Sequence, residues 1–452
     1  MEREWKKMKL DSSGNLYPAI ATREYPQVYR ISIALVTPVL PALLKQAVKE
    51  TLPAFPAFHV CLKRERFWYY LENSDKLPEI TRQKDKGIRP FPEKGLQFRF
   101  LYEKNWIHLE TFHALTDGTG AIHFLHAVCY RYCQLAYRGL LSRDVLEKRY
   151  GLEGAENIRD AYQSFGTKSG RPWKLLKKSP AFRICGKKQP QGNVVVYTGQ
   201  LSLTELKEAG RKYHATVCEL LTAISLYALW QEYREKAVQS KRQFRVAIPV
   251  NLRPFFRKKT EKNFFTCIPI EADPEEYYTL DGLIGEVKRQ FSDKCSENYL
   301  RSQVAGQVTG QQSLVSRYAP VVLKNWFLKT MYRYNGYSTM VLSNLGKIQP
   351  RKEFASCIIG YRCVLPVTGR EPFKIAVCSY RDTMELTVTS NLAEEKLQET
   401  VFGLCARLGI SMEIQKTGIG GEWPAEKKSG LINQKQFSNR RKIFPCYSLL
   451  SN

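Results

Sequence analysis

Residues 105–126 read NWIHLETFHALTDGTGAIHFLH and hold four of the chain's six histidines, His108, His113, His123 and His126. His113 ends a run, WIHLETFH, whose alternation reads as a β-strand, and a side chain at a strand end can leave the sheet and enter a crevice. An imidazole in that position suits general-base work, because its unperturbed pKa of about 6.5 leaves it mostly neutral near pH 7. Four residues later Asp117 stands just ahead of a helical pattern, where a carboxylate caps free N–H groups. Gly118 and Gly120 take side chains out of the same turn and let another group approach the backbone. The same residues also fit a simpler reading, a hydrogen-bonded histidine in a strand-to-helix turn. His123 and His126 lie three apart on the following helix without a third ligand nearby, so no metal site is expected. His108 belongs to the other face of the strand and reads as packing or surface.

Several elements must position this turn. Strands are expected at 28–36, 96–104 and 106–113, with a hairpin formed by AFHVCLKR and FWYYLE. A helix opens near Pro41 and ends before Pro53, and Ile122, Leu125, Val128, Cys129, Tyr132, Leu135 and Ala136 recur at helical spacing. Residues 167–192 then hold eight Lys/Arg, three prolines and no acid, the composition of a solvated crossover linker. Strands resume at 194–201, 245–252, 267–272, 338–345, 373–380 and 384–390, with helices after Ser202 or Thr204, at 217–230 and at 392–409. The chain therefore divides into 1–166, a linker at 167–192, a second unit at 193–415 and a basic tail at 416–452, expected to be mobile. The fold class is α/β, with a mixed sheet in each of two units.

Composition narrows the partners. Lys plus Arg total 70 against 43 Asp plus Glu, a net charge of +27 that attracts polyanions. Phosphorylated cofactors, an acidic carrier protein, anionic membrane and nucleic acid all qualify, but no compact aromatic–basic motif points to nucleic acid. The most apolar stretch, VCELLTAISLYALW, is too short to span a bilayer and contains Glu219, so no transmembrane segment is expected. The N-terminus has no apolar run of the signal-peptide kind. Twelve cysteines without CxxC pairs suggest reduced thiols and a cytoplasmic protein.

HALTDG, between a strand and an amphipathic helix, resembles the HxxxDG motif of the CoA-dependent acyltransferase superfamily. Other segments match in order: PAFPAFHVCLKRERFWYYLE (53–72), TFHALTDGTGA (111–121), IPVNLRPFF (248–256) with KNFF (262–265), and VLSNLGKI (341–348). These are most similar to the bacterial alcohol acetyltransferase and condensation-domain-like branch, and the likeness runs from about Asp11 to Gly409. The resemblance implies two chloramphenicol acetyltransferase-like subdomains with a channel between them. It also implies acyl transfer, of acetyl or another short chain, from acyl-CoA as co-substrate to an alcohol or amine, with His113 as general base. No metal and no bound cofactor are expected. Asp117 would be structural and paired with Arg253, and Gly118 would keep the channel open. Asn344, Ser343, Thr339 and Ser338 are the candidates for holding the oxyanion. An acidic acyl carrier protein is a further partner that the resemblance implies. Phe112 stands where condensation domains carry a first histidine, and the DFGWG motif of plant enzymes is missing. A catalytically idle relative that holds a ligand or carrier protein is the alternative.

Overall fold

Alternating hydrophobicity in the first part of the chain becomes a set of paired strands. The computed structural model describes residues 7–83, 88–137, 160–165, 180–189, 193–312, 318–334 and 338–419. In chain order the first elements are β1 (Lys7–Lys9), α1 (Leu16–Ile20), β2 (Val28–Leu35), α2 (Pro41–Thr51), β3 (Val60–Arg64), β4 (Tyr69–Asn73) and β5 (Ile80–Arg82). β6 (Phe98–Glu103), β7 (Trp106–Phe112) and α3 (Gly118–Ala136) follow. The β6–β7 hairpin turns at Lys104 in the left-handed region (φ 48°), and the Asn105 amide donates to the Leu35 carbonyl at 2.7 Å. Together α2 and α3 cover the sheet, with Phe98 packed edge-on against Phe58, Phe100 and Phe124 beneath them and Phe58 stacked on Phe124.

The later elements are β8 (Val194–Ser202), α4 (Leu203–Lys212), α5 (Val217–Gln239), β9 (Phe244–Asn251), α6 (Arg253–Phe256), β10 (Phe265–Ala272), α7 (Leu280–Lys294), α8 (Glu297–Gln312) and α9 (Val321–Tyr334). They end with β11 (Met340–Lys347), α10 (Lys352–Ala355), β12 (Ile358–Val364), β13 (Phe373–Tyr380), β14 (Thr383–Ser390), α11 (Lys396–Arg407) and β15 (Met412–Ile419). Ser202 caps α4 by accepting from the Glu205 N–H, and Thr216 with Glu219 forms a reciprocal capping box on α5.

The strands make three sheets: β1-β4-β3, β12-β2-β7-β6-β5 and β10-β9-β11-β13-β14-β8-β15. The result is a mixed α/β fold, with parallel pairing at β5–β6, β9–β11 and β11–β13 and antiparallel pairing elsewhere.

Three features depart from the division expected from sequence. β12 belongs to the second unit in sequence but pairs with β2, so that Tyr361 lies opposite Ile33 in the first sheet. Within the stretch read as a solvated linker, Ala181, Phe182 and Ile184 are buried, and the Phe182 N–H donates to the Gln243 carbonyl. The apolar triplet outweighs the charge around it. Finally, β15 runs to Ile419, so residues 416–419, assigned to the tail, lie in the sheet. The Lys416 ammonium binds Glu395 there and lies 5.5 Å from the Tyr197 ring centroid. Residues 420–452 of that tail, and 167–179 and 190–192 of the linker, lie outside the described residues.

Candidate active site

Asp117 is the N-cap of α3. Its Oδ1 accepts from the Thr119 and Gly120 N–H groups, both at 3.1 Å. Its Oδ2 accepts from the Phe264 N–H at 2.9 Å. Arg253, at the start of α6, adds two charge-assisted bonds, Nη1 to Oδ2 at 2.8 Å and Nη2 to Oδ1 at 3.1 Å. The same guanidinium donates to the carbonyls of Thr260 and Lys262. Asp117 is buried and Arg253 largely so; every polar atom of the carboxylate is occupied and none is directed at a reactant. This clamp sews the strand-to-helix turn of the first sheet to the segment leading into β10.

The glycines of the turn differ in what they permit. A methyl on Gly118 would meet only the Leu345 Cδ2, at 2.7 Å, the mobile end of a side chain. A methyl on Gly120 would overlap the Glu261 backbone carbonyl and the Thr116 hydroxyl, which are themselves hydrogen-bonded. Gly120 is therefore the position where the backbones of the two halves meet, and of the two glycines expected to admit a close backbone approach it is the one that does so.

His113 follows the last residue of β7, and its N–H donates to the Gln27 carbonyl at 3.0 Å. Tyr17 of α1 stacks on the imidazole at 4.2 Å between centroids and 9° between planes. Tyr29 meets it edge-on at 5.0 Å, and Phe265 of β10 lies at 5.7 Å. The Tyr29 hydroxyl donates to the Thr116 and Asp117 carbonyls, fixing the same turn from below. Within this aromatic box Nδ1 is buried without a hydrogen-bond partner, while the residue as a whole keeps part of its surface accessible. Burial pushes the His113 pKa down to about 4, helped by the nearby Lys374 ammonium and opposed by its own backbone carbonyl, Asp117 and Asn263. The imidazole is therefore neutral at pH 7, as a proton acceptor must be.

A second polar cluster supports the box. Asp11 accepts from Gly14 N–H and from the backbone and side chain of Asn263, and burial raises its carboxyl to about 6. Beside it the buried Lys262 donates to the Lys9 carbonyl at 2.8 Å. Tyr162 accepts from the Phe265 N–H and is shared with Ser13 at 2.7 Å. On the far side, buried Glu371 binds Lys374 at 3.1 Å, Tyr332 at 3.2 Å and the Ser338 hydroxyl.

The other residues marked by sequence are spread over β11 and its approach. Ser338 is committed to Glu371, and the Thr339 hydroxyl accepts from the Arg245 N–H at 3.1 Å. Asn344 turns its Oδ1 onto the Gly346 N–H at 2.8 Å, and Ser343 and Asn344 are both partly exposed. β11 pairs with β9 only at Met340–Val246 and Val341–Ala247. Past that point the two strands part, and Leu345 reaches the Asp117–Gly118 turn. The remaining histidines have separate partners: His108 with Ser32, His123 with Glu261 and His126 with Tyr361. Sequence missed Tyr17, Tyr29 and Asp11. The first two are aromatic residues of ordinary local pattern, and only the tertiary fold brings them to His113.

The sequence matches no family model and no curated protein. Solved structures do match in fold. Polyketide synthase associated protein 5 from Mycobacterium tuberculosis aligns with a TM-score of 0.58 at 13% identity, over 89% of this chain and 98% of that one. Trichothecene 15-O-acetyltransferase from Fusarium sporotrichioides aligns at 0.60 and 12% identity, over 88% and 94%. The first condensation domain of the CDA synthetase aligns at 0.60 and 12% identity, over 90% and 97%. The chain thus has the fold shared by CoA-dependent acyltransferases and condensation domains.

Proposed function

We propose that the protein transfers an acyl group from a CoA thioester to an alcohol or amine, with His113 as the general base. The observation that carries this reading is a neutral imidazole in an aromatic box, beside a turn whose carboxylate is wholly used in structure. His113 takes the proton of the acceptor as its oxygen or nitrogen attacks the thioester carbonyl. The tetrahedral intermediate then collapses, the C–S bond breaks, and the leaving thiolate recovers the proton from the imidazolium. A pKa of about 4 makes His113 a weak base in the free protein; the positive charge that develops on it needs support from the bound reactants. The gap between β9 and β11 beyond Val341 supports assigning the thioester arm to that side, where Ser343 and Asn344 are the remaining candidates for the oxyanion. The fold's two known kinds of user, CoA enzymes and condensation domains, leave the donor as either CoA or a carrier-bound thioester, and Phe112 in the first motif position favours CoA.

The test is release of free thiol from acetyl-CoA and longer acyl-CoAs with a panel of alcohols and amines, for wild type and His113→Ala. Turnover by wild type that falls by roughly a hundredfold or more in the variant is expected. Activity that survives in His113→Ala removes the base from the mechanism. Absence of turnover with every acyl-CoA and carrier-bound donor leaves a binding protein on an acyltransferase fold.

A further inference from the structure

One helix carries a surface that acyl transfer does not use. On α9 (Val321–Tyr334), Val322, Leu323, Trp326 and Phe327 are 64, 58, 67 and 52% exposed, and just ahead of it Tyr318 is 65% exposed. At about 100° per residue the four helix positions span an arc of about 140° on one face. Such an exposed apolar patch on a protein surface marks an interaction site. The helix is not loosely placed. The Val321 N–H donates to the Arg66 carbonyl at 2.8 Å, the Lys324 ammonium to the Phe67 carbonyl at 2.7 Å, and the Asn325 amide to the Tyr69 hydroxyl at 2.6 Å. Its inner side is thereby fastened to the β3–β4 hairpin, and the apolar side is held outward.

The charge near the patch is mostly positive, and the carboxylates of the adjoining hairpin, Glu65 and Glu72, are paired with Lys7 and Lys63. No Asp or Glu occurs between Glu297 and Glu353, while that stretch holds eight Lys/Arg. Lys329 and Arg333 are exposed on the second half of the helix. Lys324 lies 3.5 Å from the Trp68 ring centroid, and Lys9 lies 4.8 Å from it. We propose that the outer face of α9 seats this protein on an anionic lipid surface. Trp and Phe enter the boundary between headgroups and acyl chains, while long basic side chains remain at phosphate level. An apolar protein partner would also cover the aromatic face, but the basic side chains of α9, the acid-free stretch between Glu297 and Glu353 and the net charge of +27 complement a negatively charged plane. No described helix is long and apolar enough to cross a membrane, so the association is of the kind that lies on the surface.

The placement has a consequence for the site. The inner side of α9 packs on α1, whose Tyr17 stacks on His113, and Tyr332 of the same helix binds Thr368 and Glu371. A lipid-soluble reactant leaving the bilayer would then reach the His113 site past α9 and α1. This consequence rests on the acyl-transfer reading; the membrane association does not.

The experiment is flotation of the full chain with vesicles of phosphatidylcholine, with and without phosphatidylglycerol. Wild type is expected to float with the anionic vesicles and to be released by high salt. Trp326→Ser/Phe327→Ser should lose at least about tenfold in binding while melting like wild type, since both positions are exposed. Lys329→Glu/Arg333→Glu should lose binding to anionic vesicles as well. His113→Ala should float like wild type, which separates this result from any failure of the acyl-transfer reading. Wild type that stays unbound with both vesicles overturns the proposal, as does a Trp326→Ser/Phe327→Ser variant that binds undiminished. Equal binding to neutral and anionic vesicles overturns the anionic preference. Dimers in solution that Trp326→Ser/Phe327→Ser disperses, without vesicle binding, would make the patch an interface between two copies.

Discussion

Arg253 grips Asp117 with two parallel hydrogen bonds, at 2.8 and 3.1 Å, across 136 residues of sequence. The pair is largely shielded from water and joins two halves of the fold, so removing one charge strands the other. Asp117→Asn places an amide donor against the Arg253 and Phe264 donors. It is expected to destabilise the protein by about 3–5 kcal/mol in urea unfolding. The acid limb of any activity should move only downward, because the Asp117 charge raises the His113 pKa and takes no proton from a reactant itself. An unfolding midpoint equal to that of wild type would show that the clamp carries no stability.

The lowered pKa of His113 sets a sign for pH effects. Acceptor deprotonation needs neutral imidazole, so kcat/KM should be level on the acid side down to about pH 5 and decline only as pH approaches about 4. An acid limb centred near the ordinary histidine value of 6.5 would mean the box does not desolvate the ring in solution. Stability follows by linkage. The unfolded chain binds the His113 proton below 6.5 and the folded one only near 4, so this contribution is complete above pH 6.5 and is lost as pH falls toward 4. Asp11 works the other way: its folded pKa of about 6 lies above 3.8, so its burial disfavours the fold less as pH drops through that window. Comparing unfolding of wild type and His113→Ala at pH 4.5 and pH 7 isolates the first effect: wild type should lose more stability than the variant between pH 7 and pH 4.5, so the gap between them narrows at the lower pH.

Much of this was readable along the chain. Strand alternation in WIHLETF and the cap position of Asp117 are local properties, and each lies where its pattern placed it. The Asp117–Arg253 contact came only from resemblance, because spacing carries no information about a partner 136 residues away. β12 escaped the division into units for the same reason. IIGYRCV has a strand's composition, but nothing in it says that Ile31 and Ile33, rather than a neighbour in sequence, supply its ladder. Ser338 and Thr339 are candidates for the oxyanion by residue type alone, whereas in the fold the Ser338 hydroxyl donates to Glu371 and the Thr339 oxygen accepts from the Arg245 N–H, as buried polar groups require. No strand is expected at 412–419 from sequence, and β15 forms there because its pairing with β8 outweighs a sequence poor in strand formers.

Gly120 and Gly118 should respond differently to a single methyl. Gly120→Ala forces a Cβ onto the Glu261 carbonyl and the Thr116 hydroxyl, neither of which can withdraw without breaking its own bond. A loss of about 1–3 kcal/mol in stability is expected, the usual range for overpacking. Gly118→Ala displaces only the end of Leu345 and should leave the unfolding midpoint within about 1 kcal/mol of wild type. If Leu345 borders the reactants, as the proposed site requires, Gly118→Ala raises KM with little change in Tm. Equal melting losses in the two variants would mean that the turn is not fixed by backbone contact.

Glu110 offers a test of the sheet that carries His113. In register it lies opposite Arg30 of β2 on one side and Arg99 of β6 on the other. Both guanidinium groups reach it, with Arg30 Nε at 3.0 Å from one oxygen and Arg99 Nε at 2.6 Å from the other, and all three residues are buried. Two cations and one anion share a space that water does not enter, so the carboxylate is what makes the arginines tolerable there. Glu110→Ala is expected to cost about 3–5 kcal/mol and to expose the β2–β7–β6 ladder to hydrogen exchange. Removing an exposed partner, as in Glu72→Ala at the Lys63–Glu72 pair, should leave the midpoint unchanged. Replacing all three members with apolar residues of similar volume should recover most of the loss, since packing can stand in for a buried ionic triad. A triple variant no more stable than Glu110→Ala would show that the charges themselves select this strand pairing, and with it the position of His113 at the end of β7.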